Sequence, residues 1–365
     1  NYHNSKYIAM AMAAPEQQYI LLDDGYKLQY LDLTIKTLLQ KIILLYGETG
    51  SGKSVIIRHL IRVLSEIAPV IIAIAPTDES NGLYTGILPP QLIFHKPSVD
   101  LLESIYARQE QVSAIYRIVN DQNGLRKVFS MCDDKQAEML ERTINISADR
   151  AMAMAGSIKD PFARDREREQ IEEGRKQRLI KLYKEVIKKY KDNLLANRER
   201  LTDEEQLIAE FFDLNPNLVL IMDDCASEKA WQKSEVVKKL FYQGRNYYFT
   251  PIISFQGDKD ITPEMRRQAH IAIFTTAECA LAHFTTKTNG HSKENIKRAD
   301  KIITKIFSTV GGPSFTKLVT IRGLPDPFRI FTAQKFQQFS TCDRYVQEFC
   351  AGLKQKKKPA ISYKL

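Results

Sequence analysis

Cysteine, histidine and long apolar runs are all scarce in this chain. Its five cysteines, Cys132, Cys225, Cys279, Cys342 and Cys350, are odd in number and form no C-x-x-C pair. That excludes a secreted disulfide framework and a zinc knuckle, and predicts a reducing, intracellular setting. The six histidines show no ligand spacing, so no structural metal is expected. The longest apolar runs, Ile42–Tyr46 and Val70–Ala75, are far too short to span a bilayer, so an integral membrane protein is not expected. No signal-peptide pattern opens the chain, and a start at Asn1 fits a trimmed N-terminus. Fixed-period repeats and low-complexity linkers are missing as well.

What is present is an ordinary globular composition. The 365 residues, 44% hydrophobic and 27% charged, predict two domains or one enlarged domain and exclude wholesale disorder. The net charge of +9 fits a polyanionic partner without demonstrating one.

Strand and helix signals give an organisation. Tyr19–Leu22 and Lys27–Leu31 flank Asp23-Asp24-Gly25 as a hairpin. The buried run Ile42–Tyr46, a glycine-rich loop, helical spacing over Ser54–Leu64 and a second buried run, Val70–Ala75, make a βαβ unit. Residues 99–212 contain no convincing strand. Within them Leu179, Leu182, Tyr183, Val186, Ile187, Tyr190 and Leu194 recur every three or four positions, with Arg178, Lys181, Lys184, Lys188 and Lys191 outside: a long amphipathic helix with a basic face. Strand signals return at Leu218–Met222, Pro251–Phe255 and Ile271–Thr275. Lys317–Arg322 and Phe328–Thr332 read as a hairpin, and Lys354–Lys358 as a basic tail without fixed structure. The expected segments are 1–98, the first strands and the phosphate-loop half of a core; 99–212, a charged helical insertion; 213–340, the second half of the core; and 341–365, a helix and basic tail.

Gly47-Glu48-Thr49-Gly50-Ser51-Gly52-Lys53-Ser54 matches G-x-x-x-x-G-K-[ST] in full, after a buried strand and at the start of a helix. Loop N–H groups would cradle the phosphates of ATP, Lys53 would reach the β- and γ-phosphates, and Ser54 would ligate Mg2+. Leu218–Met222 followed by Asp223-Asp224 has the form of a Walker B element. Asp223 is assigned to the metal and Asp224 to the base that polarises the attacking water; most enzymes of this type carry the longer Glu at the second place. Gln256 ends the strand Pro251–Phe255, where it could bond the γ-phosphate and the lytic water. Arg245, in Gly244-Arg245-Asn246, is a candidate arginine finger toward a neighbouring subunit, with Arg266 and Arg267 as rivals. No further carboxylate cluster accompanies Asp223 and Asp224, which argues against a two-metal nuclease.

These residues, with Ala75-Pro76-Thr77-Asp78, Ile221-Met222-Asp223-Asp224-Cys225, the order Gly244-Arg245-Asn246 then Ile252–Gln256, and Asp258–Arg266, resemble the FtsK–HerA superfamily of DNA-pumping ATPases. Within it they look like the genome-packaging ATPases of nucleocytoplasmic large DNA viruses. The resemblance covers residues 40–95 and 210–280, under half of the chain. It implies an α/β, RecA-like (ASCE) P-loop NTPase sheet with helices on both faces, and the Gln256 strand between the phosphate-loop strand and the Asp223 strand. It further implies a homo-oligomeric ring of five or six subunits (a pentamer or a hexamer), Arg245 acting in trans, Asp78 touching the metal shell or water, and double-stranded DNA through the middle. Capsid or inner-membrane portal partners, and work in the host cytoplasm (viral factory) and virion, follow from the same likeness. The expected function is an Mg-dependent, ATP-hydrolysing DNA translocase that packages a viral genome. A P-loop nucleotide or polynucleotide kinase and an ATP-switched assembly scaffold are the alternatives. The basic helix face and the lysine tail are candidate DNA contacts, against the ordinary reading of a solvated face.

Overall fold

The computed structural model describes residues 19–225, 231, 233–307, 316–336 and 339–356, with backbone only for 354–356. Asn1 and the tail residues Lys357 and Lys358 lie outside the described residues. Positions 354–356, expected to lack structure, instead continue the helix Arg344–Lys356.

Strands β1 (Tyr19–Leu21) and β2 (Lys27–Gln29) form the expected antiparallel hairpin. Its turn carries Gly25 at φ 81°, a left-handed angle that glycine adopts without Cβ clash. The main sheet contains β3 (Ile43–Tyr46), β4 (Val70–Ile74), β5 (Ile93–Phe94), β6 (Leu218–Met222), β7 (Phe249–Phe255), β8 (Ile271–Phe274), β9 (Thr316–Ile321) and β10 (Phe328–Thr332). Their order is β10-β9-β8-β3-β7-β6-β4-β5. From β8 to β5 neighbouring strands run parallel, while β9 and β10 extend the sheet antiparallel.

Continuous apolar strands are the signature of a sheet covered on both faces. Every residue of β3, β4, β6, β7 and β8 is buried. Alternation then divides them between two cores. Leu44 and Tyr46 join Leu240, Phe274, Phe284 and Ile303 on one face; Ile43 and Leu45 join Ile56, Ile57, Leu60 and Ile61 of the helix Lys53–Leu64 on the other.

Two compact units result. The first comprises residues up to Ala107 together with those from Asn217 onward; the second is Arg108–Pro216. Within the second, the helices Gln122–Ser130, Lys135–Ala155, Pro161–Ala196 and Asp203–Phe211 surround a separate core. Asp160 caps the 36-residue helix and Pro161 takes its first position, an arrangement that starts helices readily. The apolar stripe read from the sequence lies in that core: Leu179, Tyr183, Val186, Ile187 and Leu194 are buried, Leu182 and Tyr190 partly so. The basic face is smaller than its sequence suggests. Lys184 donates to Asn120 at 2.7 Å and Lys191 to the Glu210 carbonyl at 2.9 Å, which leaves Arg178, Lys181 and Lys188 exposed. No helix among the described residues is long and apolar enough to cross a membrane.

Candidate nucleotide site

In parallel α/β sheets, ligands bind beyond the carboxyl ends of the strands. Here that edge gathers the ends of β3, β6, β7 and β8. The register pairs Tyr46 with Phe255 and with Phe274, so Gly47, Gln256 and Thr275 begin their loops side by side. Asp223 follows the Met222–Ile253 pair and therefore lies beside Ser254.

The loop after β3 needs its glycines for different reasons. Gly50 and Gly52 sit at φ 80° and 94°. Gly47 has an ordinary φ, but a Cβ there would collide with the Thr275 side chain. Gly52 is also the N-cap of the helix Lys53–Leu64 and brings no side-chain cap to its first amides, so those N–H groups remain for an anionic ligand. Lys53 is buried, and its Nζ donates to the Gly47 carbonyl at 2.6 Å and the Glu48 carbonyl at 3.3 Å. Ser54 is exposed on the first helical turn.

The two carboxylates differ sharply in environment. Asp223 is buried and accepts from the Ser254 hydroxyl on Oδ1 and from the Tyr84 hydroxyl, at 2.9 Å, on Oδ2. Burial raises its pKa above the ordinary carboxylate value despite those two donors. Asp224 has a left-handed φ of 52°, uncommon but tolerated by aspartate. Its N–H donates to Ser254 Oγ at 3.1 Å. Its Oδ1 is a buried oxygen without a hydrogen-bond partner, 3.7 Å from Lys53 Nζ. The Ser54 hydroxyl and the Asp223 carboxylate are hard-oxygen donors of the kind that suits Mg2+, and Asp224 Oδ1 adds an oxygen still without a hydrogen bond.

Strand order decides the class: the phosphate-loop strand β3 is separated by β7 from β6, whose end bears Asp223. The chain has the RecA-like P-loop NTPase fold. Residues without any motif complete this edge of the sheet. Ser254 and Tyr84 orient Asp223. The Thr275 hydroxyl lies 2.7 Å from Ser51 Oγ and 3.0 Å from the Tyr46 carbonyl. Lys317 of β9, buried and with its pKa lowered by that burial, donates to the carbonyls of Ser51 at 3.2 Å and Thr275 at 3.1 Å. A lysine just before the apolar pair Leu318-Val319 of β9 was the available signal for Lys317. Tyr84 sits in a loop that carries no comparable one.

Two expectations change. Asp78 does not face the metal shell: its Oδ1 accepts the Tyr84 N–H at 2.7 Å and its Oδ2 the Thr85 hydroxyl at 3.1 Å, so it holds the loop that supplies Tyr84. Arg266 is not a free finger. It is buried, 3.4 Å from Asp258, and bonded to Asn289 and to the carbonyls of Asp258 and Ile261. His283 and Asn289 complete this cluster on Asp258, two residues past Gln256. Arg245 and Arg267 are both exposed. Arg245 precedes β7, whose seven residues put it about 23 Å from the nucleotide edge, out of reach of the loop of its own chain. Gln256 is exposed where β7 ends, beside Gly47.

No family model matches this chain. It is 28% identical over 300 residues to the uncharacterized protein B354L of African swine fever virus, covering 78% of this chain and 79% of that protein. It is 33% identical over 72 residues to the uncharacterized protein 015R of Frog virus 3, covering 20% and 22%. Similar solved structures include the DNA-packaging ATPase B204 from Sulfolobus turreted icosahedral virus, with 14% identity, TM-score 0.38 and coverage of 81% of this chain and 98% of that one. The pCW3 conjugation coupling protein TcpA with ATPγS gives 13%, 0.35, 94% and 72%. These relatives by sequence are viral proteins.

Proposed function

We propose that this chain is an Mg2+-dependent ATPase that translocates double-stranded DNA and packages a viral genome. It acts as a homo-oligomeric ring of five or six subunits docked on capsid or inner-membrane portal proteins, in the host cytoplasm and the virion. The observation that carries the ATPase reading is the buried Asp224 Oδ1, without a hydrogen bond and 3.7 Å from Lys53 Nζ, at the end of the Walker B strand. The DNA, ring and packaging elements are supported by the motif order and the viral relatives.

The chemistry follows from the positions. Loop amides and the uncapped helix start receive the triphosphate, and Lys53 exchanges loop carbonyls for phosphate oxygens. Ser54 and Asp223 would hold Mg2+, which when bound neutralises charge on the β- and γ-phosphates. Ser254 and Tyr84 keep Asp223 oriented. Asp224 accepts a proton from water as its oxygen bonds the γ-phosphorus. The bond to the bridging oxygen breaks, and its electron pair leaves on the β-phosphate of ADP. Gln256 positions that water, and Arg245 serves the site of the next subunit.

The test is steady-state ATP hydrolysis with and without double-stranded DNA across a salt series, on wild type and Asp224→Asn. Several-fold stimulation that fades with salt, and a variant that binds ATP without hydrolysing it, are expected. Turnover indifferent to DNA at every salt concentration removes the motor. Normal turnover in Asp224→Asn removes the base assignment.

A further inference from the structure

Arg245 is not alone at its edge of the sheet. It shares a cleft of about 340 Å³ with Gln40, Tyr242, Gln268, His270 and Arg322. No carboxylate lines this cleft, so its arginines are not neutralised there. Arg322 directly follows β9, which runs antiparallel to β8, and so lies at the amino end of the parallel strands. Its N–H donates to the His270 carbonyl at 2.9 Å, and its guanidinium bonds the Arg267 carbonyl. His270 Nδ1 accepts the Ile42 N–H at 3.2 Å, which leaves Nε2 as the protonated nitrogen. Burial first, then the charges of Lys41, Arg245 and Arg322, lower the His270 pKa. Three cations thus surround one neutral imidazole donor.

The nucleotide edge has the opposite deficit. None of the described hydrogen bonds or ion pairs of residues 47–54 involves an arginine, and the ammonium groups there, Lys53 and Lys317, are engaged with backbone carbonyls. Transfer of a phosphoryl group spreads charge over three oxygens, which a planar guanidinium fork meets better than a point charge.

We infer that the Arg245–His270–Arg322 cleft is a phosphoryl-anion site that receives the γ-phosphate of ATP bound to the P-loop of a second copy of this chain, with Arg322 acting as a second catalytic arginine beside Arg245. This inference rests on the trans-acting ATPase proposed above. Arg322 supplies charge and N–H donors while the P–O bond breaks; no covalent bond forms to it.

The experiment is subunit complementation. Lys53→Ala has a disabled loop and an intact cleft; Arg322→Gln has the reverse; Arg245→Gln is the reference. Each variant alone is expected to hydrolyse ATP at least ~100-fold more slowly than wild type, by analogy with the loss of a finger. Arg322→Gln should hold its KM for ATP within about two-fold, as for an interaction made only in the transition state. Equimolar mixtures of Lys53→Ala with either arginine variant should regain at least ~10% of wild-type turnover, because Arg322→Gln loops then meet intact clefts. If Arg322→Gln is fully active, or stays dead with Lys53→Ala while Arg245→Gln recovers, Arg322 has no trans role and the inference falls alone. If neither arginine variant recovers, the trans reading falls with it. Should Arg322→Gln fail to fold, Arg322→Lys enters the same mixtures: it keeps the charge without the fork, and full activity unmixed would equally refute the role.

Discussion

Gly47→Ala tests the packing that shapes the phosphate loop. A methyl at this position would overlap Thr275 Oγ1, and would come within 2.5 Å of Ser51 Oγ and 2.9 Å of Thr275 Cβ. Thr275 cannot yield freely, because its hydroxyl is buried between Ser51 Oγ and the Tyr46 carbonyl. Rotating it away forfeits a hydrogen bond of about 1 kcal/mol, and overpacking adds about 1–3 kcal/mol. Together these give about 2–4 kcal/mol, or on the order of 4–10 °C in melting temperature, with weaker nucleotide binding because Ser51 moves too. Thr275→Gly removes both offending Thr275 atoms, so the double variant should be less destabilised than the sum of the singles by at least ~1 kcal/mol. Thermal melts and titrations with a fluorescent ATP analogue on the four proteins measure this. Additive effects, or a Gly47→Ala protein that melts and binds like wild type, would refute the argument.

Two further outcomes follow from burial. Because burial raises the Asp223 pKa, the stability this carboxyl contributes is complete below pH ~4 and is lost as pH rises through its folded value. Without Mg2+ and nucleotide, Asp223→Asn should therefore gain in melting temperature relative to wild type between pH 4 and 7; a gap that is constant or shrinks with pH contradicts this. Lys317→Met removes a desolvated ammonium along with its two bonds to loop carbonyls. It should melt within a few degrees of wild type, yet raise KM for ATP about ten-fold as Ser51 loses its tether; an unchanged KM would refute that role.

Local signals in this chain reached as far as backbone continuity. The apolar runs predicted β3, β4 and β6–β8 because a strand buried on both faces has no polar alternation to obscure it, and Gly47–Ser54 marked its loop through residue types that phosphate binding demands. Tertiary contacts escaped. Asp78 looked like a site residue through the family resemblance alone, whereas its oxygens accept from the Tyr84 N–H and the Thr85 hydroxyl. Arg266 looked available because nothing in the sequence shows that Asp258 and Asn289 enclose it. Lys184 and Lys191 matched a solvated basic face, since helical spacing reports direction around an axis and not the neighbour that meets each side chain.

The bonds from Lys317 to the phosphate loop also bear on when in the life of the chain that loop becomes competent. Lys317, which steadies Ser51, is added to the chain 266 residues after it. β8, which supplies Thr275, is synthesised 224 residues after Ser51. Contacts of such separation form late, because chain closure must precede them. A nascent chain therefore carries residues 47–54 with the loop unsupported until β8 and β9 have been made and docked.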